Sequence, residues 1–115
     1  MSELKSIDDP RFKVLLDALR RKRKFAPIVH ALVKEQLESR KFGSNALKVD
    51  GRIFAMFAQG KLVVKLPKER VDELIAEGGV RFDPGHGRLM KEWVGIDSDG
   101  SDWVELVEEA YRFVK

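Results

Sequence analysis

The dipeptide Asp50-Gly51 stands between two short apolar runs, Ala46-Leu47-Lys48-Val49 and Arg52-Ile53-Phe54-Ala55-Met56-Phe57. A two-residue connection of this kind needs positive φ at its central positions, which Asp tolerates and Gly adopts freely, so the pair predicts a tight hairpin. Ala58-Gln59-Gly60 supplies a second turn before Lys61-Leu62-Val63-Val64-Lys65-Leu66. Strands joined this closely run antiparallel, so the middle of the chain is a three-stranded meander on which everything else has to pack.

Helical patterns flank it. Asp8-Asp9-Pro10 is a helix start, with Asp9 placed to cap free backbone N–H groups and Pro10 suited to the first helical position. Phe12, Leu15, Leu16 and Leu19 then recur at helical spacing and make one face apolar. Pro27 predicts a break near Phe25-Ala26 and a second helix from about Pro27 to Leu37. After the meander, Val71, Leu74 and Ile75 mark a short helix closed by Gly78-Gly79. Val80-Arg81-Phe82 and a run near 90–96 read as two more strands. Trp103, Leu106, Val107, Ala110 and Val114 form the inner stripe of a last helix, whose start has capping-box spacing at Asp102 and Glu105. The order α(α)-β3-α-β2-α predicts an α+β fold in which helices pack on an antiparallel sheet.

With 115 residues and no Gly/Ser/Pro-rich linker, residues 1–115 read as a single domain. Charged residues make up 36% of it, well above the usual quarter or so, while a 43% apolar share is enough to build a core. Lys, Arg and Glu are abundant, whereas Asn occurs once and Thr not at all. Heat adaptation and a GC-rich genome both produce such a bias. No apolar run reaches the roughly 18 residues of a membrane span, and Met1-Ser2-Glu3-Leu4-Lys5 has no apolar stretch of the secretory kind. A cytoplasmic protein is the expectation.

The absence of Cys removes disulfides, thiolate nucleophiles and sulfur-ligated metals together. Ser39, Ser44, Ser98 and Ser101 lie in no nucleophile elbow. His30 and His86 are the only histidines, and no ligand spacing such as H-E-x-x-H is present. Asp97-Ser98-Asp99-Gly100-Ser101-Asp102 has oxygen donors at alternate positions, but the sixth place, where a calcium loop needs Gly, is Asp102. It reads as a turn and helix start. No catalytic residue, metal or cofactor is expected, and the chain reads as a non-enzymatic domain.

Two segments stand out as binding candidates. Arg20, Arg21, Lys22, Arg23 and Lys24 are five consecutive cations, the main reason why residues 1–50 carry +5 and residues 51–115 carry −2. Such a run contacts nucleic-acid phosphates, with Arg40, Lys41 and Lys48 as further candidates. It equally suits the negative pole at the end of a helix, surrounded by water. The second segment is Phe82-Asp83-Pro84-Gly85-His86-Gly87-Arg88. Glycines on both sides of His86 let backbone N–H groups converge on an anion, with Arg81, Arg88 and Lys91 adding charge. The same Gly85 and Gly87 suffice for a plain turn between strands.

Phe42-Gly43 followed by Leu47-Lys48-Val49-Asp50-Gly51-Arg52-Ile53-Phe54-Ala55-Met56 resembles the signature of the TfoX (Sxy) N-terminal domain family. Gly60 to Leu66, then Gly85, Gly87, Arg88 and Met90 to Trp93, continue the likeness over about residues 40–115, leaving 1–39 as a helical N-terminal segment. The MmcQ/YjbR-like group is a related comparison with a similar layout. The resemblance implies a small α+β fold of roughly α-β3-α-β2-α order and brings no catalytic motif. It implies a regulatory or protein-interaction domain, binding a protein partner or a second copy of itself, because the family's namesakes regulate natural competence. Those namesakes carry a further C-terminal domain. Nucleic-acid binding through Arg20–Lys24 and small-anion binding at Gly85–Arg88 are the alternatives.

Overall fold

The computed structural model describes residues 9–38, 45–82 and 91–115, apart from the side chains at 36 and 38. Four helices and five strands occur in the order α1 Pro10–Arg20, α2 Ala26–Glu38, β1 Ala46–Val49, β2 Arg52–Ala58, β3 Lys61–Lys65, α3 Lys68–Ala76, β4 Val80–Arg81, β5 Trp93–Ile96 and α4 Trp103–Val114. The strands form one antiparallel sheet in the order β1-β2-β3-β5-β4. This is the expected α+β class.

Local chemistry sets the punctuation. At the start of α1 the Asp9 carboxylate accepts the backbone N–H of Arg11 at 2.8 Å, and Pro10 occupies the first turn. Asp50 and Gly51 have φ of 53° and 78°, Gln59 and Gly60 of 56° and 74°, so both hairpins use the left-handed two-residue turn. The α3 helix ends in a Schellman motif, with Gly78 N–H donating to the Ile75 carbonyl at 3.1 Å and Gly79 N–H to that of Leu74 at 2.8 Å. The start of α4 departs from expectation. Asp102 makes no side-chain cap; its backbone is not extended (φ −103°, ψ 4°), and its carboxylate accepts the Ser98 hydroxyl at 2.8 Å instead.

The sheet has two unlike faces. Residues Leu47, Ala55, Val64 and Val94 share one row, and Phe57, Leu62 and Ile96 the next; all seven lie in the core with the helices. Phe12 of α1 stacks on Phe57 at 5.0 Å, and Trp103 of α4 lies 5.9 Å from the same ring. A register shift pairs Leu47 with Ala55 but Lys48 with Ile53, so Phe54 is an extra residue in β2. This bulge breaks the alternation and lets Phe54 and Ala55 both reach the core. Ala46 and Val63 are buried yet stand outside that core, because alternation turns them to the other face.

Candidate nucleic-acid interface

Residues 20–24 end α1 and form the turn to α2. Arg21 N–H donates to the Ala18 carbonyl at 3.3 Å and Lys22 N–H to that of Leu19 at 2.9 Å. Phe25 N–H and Ala26 N–H then both reach the Lys22 carbonyl at 3.0 Å. Phe25 anchors this turn. It is fully buried, 5.1 Å from the Tyr111 ring and 6.4 Å from that of Phe54. With the turn pinned by one ring, the five cations before it are left on the surface, and all are exposed.

The turn sits against the last turns of α4. The Lys22 ammonium lies 3.2 Å from the Glu108 carboxylate. Lys24 Nζ is 5.2 Å from the Tyr111 ring centroid, and Lys115 Nζ is 5.7 Å from the same centroid. Arg52, at the start of β2, donates to the Val114 carbonyl at 3.4 Å. Two helix carboxyl ends therefore meet here, and cations complement both negative poles. Asp17 offsets Arg20 at 3.6 Å. Arg21 and Arg23 make no ion pair among the described residues, so their guanidinium groups are free to meet an external anion. Lys115, Arg52 and the half-buried Tyr111 belong to this basic end although the sequence offered no reason to place them with residues 20–24. Their link is tertiary, through α4: Phe25 and Lys24 meet Tyr111, and Lys22 meets Glu108.

The other candidates separate. Lys48 is on β1, 3.5 Å from Glu35, while positions 40 and 41 lie outside the described residues. Of the anion-loop set, Gly85, His86, Gly87 and Arg88 also lie outside them. Arg81 is on β4, where its guanidinium donates to Asp72 at 2.8 Å and, with Lys68, holds that carboxyl below its ordinary range. Lys91 is exposed in the turn before β5. His30 is exposed on α2. The acidic turn is spent internally: Asp97 binds Arg11 at 2.7 Å, Asp99 accepts the Ser101 N–H at 2.9 Å, and Asp102 accepts from Ser98. No cluster of His or carboxylate residues suited to a metal occurs among the described residues, and no described helix is long and apolar enough to cross a membrane.

The most connected polar side chain was not legible as one. Arg11 donates to Asp9, Asp97, the Ser98 carbonyl and the Gly60 carbonyl at 2.7–3.1 Å. These bonds join α1, the β2–β3 turn and the turn before α4. The hydrogen bond from Arg11 holds the Asp9 carboxyl below its ordinary range, and the two aspartates favour the charged guanidinium. This is a structural clamp whose partners are up to 87 residues away in the chain.

A comparison with known protein families matches residues 32–113 to the YjbR model, which covers α2 from Leu32, the whole sheet, α3 and nearly all of α4. No curated protein and no solved structure matches the chain. The match falls on the MmcQ/YjbR-like side of the resemblance seen in the sequence, and it leaves the cationic turn at residues 20–24 outside its span. By a match over more than half its length, this chain belongs to the YjbR family.

Proposed function

We propose that this protein is a non-enzymatic regulatory domain that binds nucleic acid through its basic end, with Arg21 and Arg23 as the leading phosphate contacts. One observation carries the reading: in the turn that packs on the end of α4, Arg21 and Arg23 are exposed with no ion pair among the described residues, and Lys24 and Lys115 of the same end lie over the Tyr111 ring. Phosphate contacts supply sequence-independent affinity, and an aromatic ring among the cations adds a surface for a sugar or base. The likeness to the N-terminal domain of competence regulators fits a regulatory role. A protein-binding role has less to draw on. Among the described residues, the exposed large apolar side chains Val14, Leu37, Ile53, Val80 and Phe113 lie one each on α1, α2, β2, β4 and α4.

The test is a titration of a fluorescently labelled DNA duplex, followed by anisotropy at several salt concentrations. With about four phosphate contacts, log K falls with log[salt] at a slope of about −3 to −4. The double variant Arg21→Ala/Arg23→Ala loses about two units of that slope and binds weakly at every sequence tried. No binding of the unaltered protein at low salt would sink the reading.

A further inference from the structure

The face of the sheet turned away from the core carries a second arrangement of cations and rings. Register and alternation place Ala46, Met56, Val63, Gly95 and Val80 in one row across it. The neighbouring row pairs Lys65 with Trp93, and the Phe82 ring lies 6.3 Å from the Trp93 ring. Lys65 Nζ is 5.9 Å from the Trp93 centroid. Lys61, two positions before Val63, lies along Gly95: a Cβ there would meet its Cδ at 3.1 Å. Apolar stems of Lys61 and Lys65 thus flank Val63 and carry their ammonium groups outward. Helices α1, α3 and α4 contact the sheet through its opposite, core face, where Phe57, Val94 and Ile96 are found.

We propose that the row Phe82–Trp93–Lys65, with Lys61 at its side, is a platform for single-stranded nucleic acid. The residue types favour this occupant over others. Phe82 and Trp93 are both half-buried rather than buried in the core, and planar rings that are partly exposed suit stacking of bases. Among the described residues, the charges placed at this row are Lys61 and Lys65, with Glu92 4.0 Å from Lys65, and Lys91 is exposed in the turn before β5. A net cationic rim around ring surfaces complements a chain of bases on a polyanionic backbone. An acidic peptide would use the lysines but leave the two rings without planar partners. This surface is separate from the basic end and stands without it.

The chain holds two tryptophans, of which Trp103 is fully buried and Trp93 is not, so quenching of intrinsic fluorescence reports Trp93. Titrating the whole protein with oligothymidylate at low salt should quench this emission, and quenching should survive in Trp103→Phe. Trp93→Ala should weaken binding about tenfold, the loss of one stacked base. Lys65→Glu, a surface change that keeps the fold testable if Trp93→Ala unfolds, should weaken it further and lower the salt slope by about one contact. Three results would overturn the proposal: no binding, binding without quenching, or binding unaffected by Lys65→Glu. Loss of oligothymidylate binding in Arg21→Ala/Arg23→Ala alone would also overturn it and assign the strand to the basic end. Preferential capture of an acidic peptide over oligothymidylate would do the same in favour of a protein partner.

Discussion

The guanidinium carbon of Arg11 lies 5.0 Å from the ring centroid of Trp103. Trp103 is fully buried at the start of α4, and Arg11 covers its ring while its nitrogens reach Asp9, Asp97 and two carbonyls. A planar cation on a ring retains both sets of contacts at once, because its hydrogen bonds lie in the plane and the ring lies against its face.

Replacing Arg11 with Ala removes the clamp that joins α1 to two turns. The expected loss is on the order of 2–3 kcal/mol, set by charge-assisted bonds whose acceptors are left partly buried. Arg11→Lys restores less than half of it, since an ammonium cannot reproduce the fork or stack on Trp103. Urea unfolding of the two variants measures both; equal stability of Lys and Arg at this position would show that geometry is unimportant there.

Stability falls in acid. The bond from Arg11 lowers the Asp9 carboxyl in the folded state, and bonds from Arg81 and Lys68 lower that of Asp72. A depressed carboxyl is protonated first in the unfolded chain, so its contribution is present above the unfolded value of about 4 and is lost as pH falls through the folded value. Melting temperature should therefore drop below about pH 4, and Asp9→Asn should flatten part of that drop. An acid limb of unchanged steepness in Asp9→Asn would contradict this role for the pair.

At Trp103 the indole Nε1 is buried with no hydrogen-bond partner among the described residues. Trp103→Phe therefore discards an unsatisfied donor along with ring volume, and should cost no more than about 2 kcal/mol. Trp103→Ala, which opens a cavity under Arg11 and beside Phe57, should cost about 3–5 kcal/mol. Thermal unfolding of the pair separates the two contributions, and a near-equal cost would mean that the indole nitrogen matters more than the packing.

Gly79 is limited by space. A Cβ there would stand 2.9 Å from the Leu74 carbonyl oxygen, 3.0 Å from Val94 Cγ2 and 3.3 Å from Ile96 Cδ1. Gly79→Ala has to push α3 away from β5, at a cost of about 1–3 kcal/mol. Gly51→Ala meets no neighbour and is penalised only by its φ of 78°, about 1 kcal/mol. Chemical denaturation should place Gly79→Ala as the less stable of the two.

Much of the architecture was legible because it rests on contacts between residues close in the chain. Asp9 caps the N–H of Arg11 two positions on, Asp50-Gly51 closes its own hairpin, and Gly78-Gly79 ends its own helix. The capping box expected at Asp102 and Glu105 failed for the same kind of local reason. Ser98, four residues earlier, takes the Asp102 carboxylate. The basic run was visible as charge, but its neighbours Tyr111 and Lys115 join it only in the tertiary structure, where Phe25 and Lys24 both meet the Tyr111 ring. Nothing in local spacing reports such a contact.

By itself the sequence determined the elements, their order and the antiparallel meander, since turn chemistry, capping and hydrophobic period act within a few residues. Tertiary structure alone decided that β5 enters the sheet beside β3, with β4 outside it. It also decided which face of the sheet the helices cover, that a bulge brings Phe54 into the core, and that Arg11 meets Asp97. Each of these depends on burying apolar area from distant segments together, a contribution that no short stretch of chain carries alone. The Asp50-Gly51 turn set the register from which β2 starts, and the core then chose which of its side chains face inward.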